Sequence, residues 1–255
     1  MSWLPAPRRL AALTSFVVLC ALTVPFAARA IGGFGAGGAV AQAGAGAQAG
    51  AGATDQAVRI NRLCSRVWMI GDSLTVGSAS AIRSGLDRLD LEAELVDGVN
   101  SRRISVNAQP VERSGVLAAR SIRAANGEAN CWVIALGTND ISNGVTTTTR
   151  ARAAVAEMLA EVTPDARVWW VNVDFRSLDD STDYPDATRT FNAALDERAA
   201  SDLRFEVIDW YGLAEDHPEW FLKPDGTADP VHVNATGYAA RAAQVVDVIR
   251  RNSER

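Results

Sequence analysis

The stretch Val67-Trp68-Met69-Ile70-Gly71-Asp72-Ser73-Leu74 leads from a short apolar run directly into a polar turn. Four consecutive apolar residues at 67–70 are typical of a strand that is covered on both faces of a sheet. Gly71 and Asp72 are common turn residues, and a helical pattern follows at residues 77–89. A buried strand, a turn and a helix in this order form the repeating unit of a parallel sheet.

The same alternation of strand and helix continues to the end of the chain. Four more strands are predicted, at residues 92–96, 131–136, 168–173 and 205–210. Further helices are predicted at residues 111–125, 150–162, 187–200 and 235–251. This order predicts an α/β fold with a five-stranded parallel sheet and helices on both faces. Sheets of this kind bind their ligands at the carboxyl ends of the strands.

The composition is that of a globular protein and excludes some classes of partner. The chain has 255 residues, a net charge of -5 and 48% hydrophobic residues, which is enough for one sizeable core. The mild acidity argues against a nucleic-acid partner, because phosphate backbones bind basic surfaces. Lys223 is the single lysine in the sequence, so the chain has no lysine-rich tail.

The first thirty residues have the pattern of a secretory signal. Arg8 and Arg9 precede an apolar run at residues 10–24, and Ala28-Arg29-Ala30 matches the small-x-small cleavage pattern. A retained membrane anchor is the alternative, although the run is shorter than the ~20 residues that a membrane span needs. We expect residues 1–30 to be a cleaved signal peptide, which leaves a secreted or cell-envelope protein without a membrane span.

The segment after the signal differs in composition from the rest of the chain. Residues 31–54 are almost wholly Gly, Ala and Gln, with no periodic apolar face. Such a composition predicts a flexible linker. All of the motifs described below come later, so one domain is expected at residues 55–255.

Three cysteines can be assigned by position. Cys20 would leave with the signal, and Cys64 and Cys131 form an even pair in an exported chain, where disulfides persist. Each of these two directly precedes an apolar strand, so neighbouring parallel strands would place them at the same end of the sheet. A disulfide is therefore the favoured interpretation, with two buried free thiols as the alternative. With two histidines and no close cysteine pair, a zinc site is not expected.

Four polar motifs follow predicted strands, and they would therefore converge on one edge of the sheet. They are Gly71-Asp72-Ser73-Leu74, Asp97-Gly98, Gly137-Thr138-Asn139-Asp140 and Asp229-Pro230-Val231-His232. Each has an ordinary structural explanation when taken alone: Asn139 could cap a turn, and Gly98 could supply a positive φ. Their joint placement at strand ends favours a functional site.

A serine at a strand-to-helix turn needs a base, because the hydroxyl is a weak nucleophile until its proton is removed. His232 has Asp229 three residues before it, a spacing that lets the carboxylate reach the far ring nitrogen. His217 is followed by Pro218 and has no comparable partner. Ser73, His232 and Asp229 are therefore the candidate catalytic residues.

These motifs, in this order over nearly all of the chain from Val67 onward, resemble the four signature blocks of the SGNH (GDSL-type) hydrolases. The resemblance implies a flavodoxin-like three-layer α/β/α sandwich. It also implies that Ser73 is the nucleophile, His232 the general base and Asp229 its orienting carboxylate. The oxyanion hole would consist of the backbone N–H groups of Ser73 and Gly98 and the side-chain amide of Asn139. Asp72 would hold the turn rather than take part in catalysis.

Some positions depart from the family pattern. The second block often reads Asn-x-Gly-x-x-Gly, whereas the stretch that begins at Asp97 lacks the later glycine and continues into Arg102 and Arg103. These arginines are expected either to be solvated surface charges or to contact an anionic or sugar substrate. Asp225 is a second carboxylate near His232 and ranks below Asp229 because of its spacing.

The expected activity is that of a secreted serine esterase that cleaves an O-acyl ester, from a small molecule or a glycan, through an acyl-enzyme. A monomer without metal or organic cofactor is expected. Transfer of the acyl group to a cell-envelope glycan is one alternative. A non-catalytic carbohydrate-binding module is another, motivated by an aromatic set, Trp210, Tyr211, Trp220 and Phe221. The adjacent Trp169 and Trp170 are expected to divide between core and surface, since they alternate along a strand.

Overall fold

The computed structural model describes residues 63–176 and 184–253. The predicted signal peptide, the linker and the first residues of the predicted domain lie outside these ranges. Within them, no helix has both the length and the apolar character that crossing a membrane requires.

A single five-stranded sheet organises the fold. Its strands are β1 (Arg66–Gly71), β2 (Ala93–Gly98), β3 (Cys131–Ala135), β4 (Arg167–Val171) and β5 (Phe205–Ile208). They lie in the order β2-β1-β3-β4-β5, and every neighbouring pair is parallel. This is the flavodoxin-like order, in which ligands bind at the carboxyl ends of β1 and β3, where the strand order reverses. The predicted fold class is confirmed.

The helices that connect these strands lie on both faces of the sheet. In chain order they are α1 (Ser73–Leu86), α2 (Gly115–Asn126), α3 (Thr138–Ile141), α4 (Thr148–Leu159), α5 (Tyr184–Ser201), α6 (Trp210–Glu215) and α7 (Ala235–Ser253). One core layer packs α2, α4 and α5 against the sheet, and the other packs α1 and α7 against the opposite face. The result is a three-layer sandwich.

Two element boundaries differ from the sequence-based prediction in ways that matter for the site. The first helix begins at Ser73, four residues earlier than predicted, because the Asp72 carboxylate accepts a hydrogen bond from the backbone N–H of Leu74 at 3.0 Å and caps it. The fifth strand ends at Ile208, since Asp209 caps α6, which starts at Trp210.

The expected division of Trp169 and Trp170 between core and surface is wrong. Both side chains are buried, 1% and 0% exposed, and they belong to the two different core layers. The alternation along the strand is as expected, but helices cover both faces of this parallel sheet, so neither face reaches solvent at this position.

A disulfide joins Cys64 and Cys131 at the amino-terminal edge of the sheet, as predicted. Cys64 lies two residues before the start of β1, and Cys131 is the first residue of the neighbouring β3, with 5.7 Å between their Cα atoms. The side chain of Asn130 supports the same edge, since its Oδ1 accepts hydrogen bonds from the backbone N–H groups of Ser65 and Arg66. This edge lies opposite the one that carries the polar motifs.

Candidate active site

Ser73 and His232 meet at the carboxyl edge of the sheet although 159 residues separate them in the chain. Ser73 is the first residue of α1, directly after β1, and its Oγ lies 3.0 Å from Nε2 of His232. The partial positive charge at a helix N-terminus favours negative charge that develops nearby. The pair therefore has the distance and the setting that a hydroxyl and its base require.

Asp229 lies on the other side of the imidazole. Its Oδ1 is 3.3 Å from Nδ1 of His232, and the same oxygen accepts hydrogen bonds from the backbone N–H groups of His232 at 2.8 Å and Val231 at 3.0 Å. Partial burial raises the pKa of Asp229, but these two backbone hydrogen bonds and the charges of His232 and Lys223 outweigh it, so the pKa lies below its usual value. An ionised carboxylate at this position can orient the ring and stabilise an imidazolium.

The segment that carries Asp229 and His232 is anchored by backbone hydrogen bonds to a 3₁₀ turn at Pro218–Phe221. The N–H of Asp229 donates to the carbonyl of Phe221 at 2.8 Å, and the N–H of Asn234 donates to the carbonyl of Trp220 at 2.7 Å. Asn234 also accepts backbone hydrogen bonds at the start of α7. The loop is thus fixed at both ends, which holds the carboxylate and the imidazole at constant spacing.

Lys223 also belongs to this site, although its position does not follow from any of the four polar motifs. Its Nζ lies 3.7 Å from Oδ2 of Asp229, and its backbone belongs to the turn that pairs Leu222 with Ala228. The only signal in the sequence is a Pro224-Asp225-Gly226 turn, which brings residues on its two sides together.

Asn139 reaches the same edge from the third strand. It lies in the short helix α3, and its side-chain Nδ2 is 3.4 Å from Oδ2 of Asp72, to which it donates. Asp72 is buried, and burial raises its pKa against the opposing charge of Arg241 and the hydrogen bond from Leu74. Asp72 therefore holds both the helix that starts at Ser73 and the amide of Asn139, in keeping with the structural part expected of it.

Gly98 ends β2 and packs directly against the first turn of α1. It is the register partner of Gly71, and a Cβ built on it would lie 2.8 Å from the backbone nitrogen of Val76. The position therefore has room only for glycine. Ser101 stands where the family pattern has its later glycine, and it adopts a φ of 60°, in the left-handed region that favours glycine.

Both expectations for Arg102 are wrong. Its side chain is neither a solvated charge nor open to a substrate, because it is 3% exposed and its guanidinium binds carbonyl oxygens at the ends of β1 and β2. Arg103 is partly buried, and its Nη1 donates to Oδ1 of Asn143 at 3.0 Å. Two consecutive arginines in a sequence do not indicate which of them is buried.

The remaining sequence candidates lie apart from the Ser73–His232 pair. Nδ1 of His217 is 2.9 Å from Oε1 of Glu219, and its ring stacks on Trp220. Asp225 accepts hydrogen bonds from the backbone N–H and hydroxyl of Thr227. Among the described residues, neither His217 nor Asp225 forms a hydrogen bond or ion pair with His232.

A cleft of about 370 Å³ opens beside the serine. Nine residues line it: Ser73, Asn100, Ser101, Thr138, Asn139, Ser142, Phe175, Val231 and His232. Seven of these nine side chains are polar, so the cleft presents mainly hydrogen-bonding groups. Larger cavities of about 570 and 780 Å³ lie around the amino-terminal edge, and no histidine lines either of them.

The chain resembles a known protein family in sequence and several solved structures in fold. None of the curated protein sequences matches the chain significantly. The model of the GDSL-like lipase/acylhydrolase family matches residues 69–240.

Solved structures with the same fold are distant in sequence. The C-terminal catalytic domain of peptidoglycan O-acetyltransferase A from Streptococcus pneumoniae is 17% identical, with a TM-score of 0.55, over 74% of this chain and 93% of that one. A member of the lipolytic G-D-S-L family from Veillonella parvula is 17% identical, with a TM-score of 0.54, over 72% and 97%. A lipase/acylhydrolase from Enterococcus faecalis is 17% identical, with a TM-score of 0.53, over 73% and 95%. With a family model that spans both Ser73 and His232, the chain belongs to the GDSL-like lipase/acylhydrolase family.

Proposed function

We propose that this protein is an exported serine esterase that hydrolyses short O-acyl esters through a covalent acyl-enzyme. The observation that carries the proposal is the line of contacts from Ser73 Oγ to His232 Nε2 at 3.0 Å and from His232 Nδ1 to Asp229 Oδ1 at 3.3 Å. Nucleophile, base and orienting carboxylate in hydrogen-bond sequence are the arrangement that activates a serine.

In the first half of the reaction, the Oγ of Ser73 attacks the ester carbonyl carbon while Nε2 of His232 takes the hydroxyl proton. The carbonyl π electrons move to oxygen and form a tetrahedral oxyanion. Asp229 stabilises the resulting imidazolium. When the oxyanion collapses, the bond to the leaving alcohol breaks, His232 returns the proton to that alcohol, and the acyl group stays on Ser73.

The oxyanion needs donors aimed at the position where its charge develops. The backbone N–H groups of Ser73 and Gly98 and the amide of Asn139 are the proposed donors. Asn139 lines the cleft beside Ser73, and its hydrogen bond to Asp72 limits rotation of the amide. A pre-oriented donor stabilises the transition state without reorganising during the reaction.

In the second half, water attacks the carbonyl carbon of the acyl group, and His232 takes a proton from that water. The bond between the acyl group and Ser73 then breaks, His232 returns the proton to Oγ of Ser73, and the carboxylic acid leaves. An alcohol in place of water would make the enzyme a transferase. The likeness in fold to a peptidoglycan O-acetyltransferase keeps transfer as the second candidate. We favour hydrolysis because transfer requires, in addition, a binding site for the acceptor.

The alternative of a carbohydrate-binding module without activity rested on a set of four aromatic residues that would have to lie at the surface. Of the four aromatic residues, Trp210, Trp220 and Phe221 are buried in the core, and only Tyr211 is partly exposed. The three buried side chains thus pack in the core layer that contains α1 and α7 rather than form a sugar-binding surface.

Export is part of the proposal. The signal-like pattern at residues 1–30 and the Cys64–Cys131 disulfide both suit an oxidising compartment outside the cytoplasm. The expected substrate is an acyl ester of a small molecule or a glycan, and the enzyme is expected to act as a monomer.

The deciding experiment compares the wild type with Ser73→Ala on nitrophenyl acetate, butyrate and octanoate and on acetylated sugars. Ser80, exposed on the same helix, supplies the control variant Ser80→Ala. We expect Ser73→Ala to lose roughly four to six orders of magnitude in kcat, with acetate as the preferred acyl group. Equal activity in Ser73→Ala and wild type would falsify the proposed nucleophile.

A serine-directed phosphonate provides an independent test of the base. Peptide mapping should place the label on Ser73, and His232→Ala should be labelled far more slowly than wild type. Labelling of His232→Ala at the wild-type rate would contradict the proposed base. Adding a glycan acceptor separates the two candidate outcomes, because a transferase would release less free acetate when the acceptor is present.

A further inference from the structure

Arg102 is a buried arginine that joins the ends of two strands. Its Nη1 donates to the backbone carbonyl of Gly71 at 3.3 Å and to that of Asp97 at 2.8 Å. Its Nη2 forms an ion pair with Oδ2 of Asp97 at 3.0 Å. One planar guanidinium therefore spans the carboxyl ends of β1 and β2.

These two carbonyls lie next to the proposed reaction centre along the chain. Gly71 is two residues before Ser73, and Asp97 directly precedes Gly98. Gly71 and Gly98 are also register partners, and the N–H of Val99 donates to the carbonyl of Gly71 at 3.1 Å. Arg102 thus links the strand that delivers the nucleophile to the strand that delivers an oxyanion donor.

The loop from Gly98 to Arg102 is conformationally restricted. Ser101 holds a φ of 60°, which a serine rarely adopts, and the N–H of Arg102 donates to the carbonyl of Val99 at 3.2 Å to close the turn. Gly98 is already packed so closely on α1 that a Cβ would meet the nitrogen of Val76 at 2.8 Å. A small shift at the end of β2 therefore changes how the N–H of Gly98 is placed relative to Ser73.

A role in stability alone explains the burial of Arg102 less well. An ionised guanidinium is costly to bury, and replacing buried ion pairs by apolar residues is often neutral or stabilising. The buried Nε of Arg102 also has no hydrogen-bond partner among the described residues. At 3% exposure the side chain has no access to a substrate in the cleft.

We propose that Arg102 is a positioning residue for the oxyanion hole: it fixes the backbone N–H of Gly98 relative to Ser73 by bridging Gly71 and Asp97. The inference rests on the proposed esterase function. It predicts a defect in the transition state rather than in substrate binding, because Arg102 acts only on the donor geometry.

The test uses Arg102→Met and Arg102→Lys, with Arg83→Met as the matched control. Arg83 also donates to a carbonyl of β2, that of Val96 at 2.6 Å, but its side chain is exposed, and this carbonyl lies one residue further from Gly98 than that of Asp97. Each preparation is first titrated to its end point with the phosphonate, so that kcat is expressed per competent site and misfolded protein does not count.

Because the loss of a whole donor costs about 100- to 1000-fold, we expect kcat of Arg102→Met on nitrophenyl acetate to fall by roughly 10- to 100-fold. KM should stay within about threefold, and the phosphonate labelling rate should fall with kcat. Arg102→Lys should recover part of the loss, since an ammonium group donates but cannot reproduce the planar fork. Arg83→Met should keep the wild-type kcat.

Wild-type kcat per site in both Arg102 variants overturns the inference, and so does a rise in KM without a fall in kcat. If Arg102→Met does not fold, Arg102→Lys decides: an unchanged kcat rejects the inference and a reduced kcat at constant KM supports it. A wild type without Ser73-dependent activity rejects the proposed function itself, which is a separate outcome.

Discussion

The backbone N–H of Ile104 donates to both oxygens of the Asp140 carboxylate, at 3.0 and 3.2 Å. This contact joins the loop after β2 to the helix that carries Asn139. Burial, together with a weaker effect of the nearby charge of Asp72, raises the pKa of Asp140 to about 7 against the hydrogen bond from Ile104. The carboxyl group therefore gains its charge near neutral pH instead of at the ordinary value of 3.8.

A pH-dependent stability follows from Asp140. Between pH 3.8 and about 7 the folded state holds a proton that the unfolded state has lost, so the free energy of unfolding falls as pH rises through this window. The slope from this one group is at most about 1.4 kcal/mol per pH unit. Asp140→Asn keeps an oxygen acceptor for Ile104 but removes the titration.

Urea unfolding of wild type and Asp140→Asn from pH 4.5 to 7.5 measures this contribution. The variant should gain stability relative to wild type as pH increases, because it lacks the loss that the wild type suffers. Asp90→Asn, at an exposed carboxyl group, is the control. Parallel profiles for wild type and Asp140→Asn would contradict the prediction.

Asp229→Asn should preserve the loop while disabling the base. The amide oxygen can still accept the backbone N–H groups of Val231 and His232, so the fold should hold. The lost charge removes the stabilisation of the imidazolium and the preference for the correct tautomer, and we expect kcat to fall roughly 10⁴-fold. Asp225→Asn removes a nearby exposed carboxylate and should leave kcat unchanged. A comparable loss in both variants would point to a general charge effect instead.

Asn139→Ala should remove one oxyanion donor. Steady-state kinetics on nitrophenyl acetate should show a fall in kcat of about 100- to 1000-fold with little change in KM. Asn107→Ala, at an exposed position in the loop before α2, is the comparison. A variant that binds the ester poorly but turns it over at the wild-type rate would assign Asn139 to substrate binding.

Replacing both Cys64 and Cys131 by alanine should destabilise the fold without slowing the reaction. The disulfide closes a segment with a sequence separation of 67 residues, for which chain entropy predicts a loss of about 4 kcal/mol in the free energy of unfolding. The bond lies at the edge opposite Ser73, so kcat at 25 °C should be unchanged. Strong reductant should lower the stability of the wild type to that of the variant, and a kcat that fell with reduction would show coupling across the sheet.

The sheet and the placement of the polar motifs could be predicted from sequence because each rests on a local pattern. Apolar runs identify buried strands, and parallel strands bring their carboxyl ends to one edge, so Ser73, Gly98, Asn139 and His232 follow from their positions after strands. The helix α1 starts four residues before its predicted start because its first turn depends on capping by the carboxylate of Asp72, and the sequence is equally compatible with Asp72 as a turn residue.

Arg102 and Lys223 could not be placed from sequence for a different reason. The burial of Arg102 depends on two carbonyl groups that become neighbours only when β1 and β2 pair. The contact between Lys223 and Asp229 depends on a turn that folds back beside the site. Long-range contacts of this kind leave no periodic pattern in the chain.

The position of the disulfide determines whether the fragments of a cleaved chain stay covalently joined. The chain between Cys64 and Cys131 contains Ser73 and Gly98, whereas His232 lies outside it. A protease that cuts this segment, for example at the exposed Val111 (56% exposed), leaves the two pieces covalently joined. Cleavage within this segment therefore yields a two-chain molecule in which Ser73 remains covalently attached to the piece that carries His232.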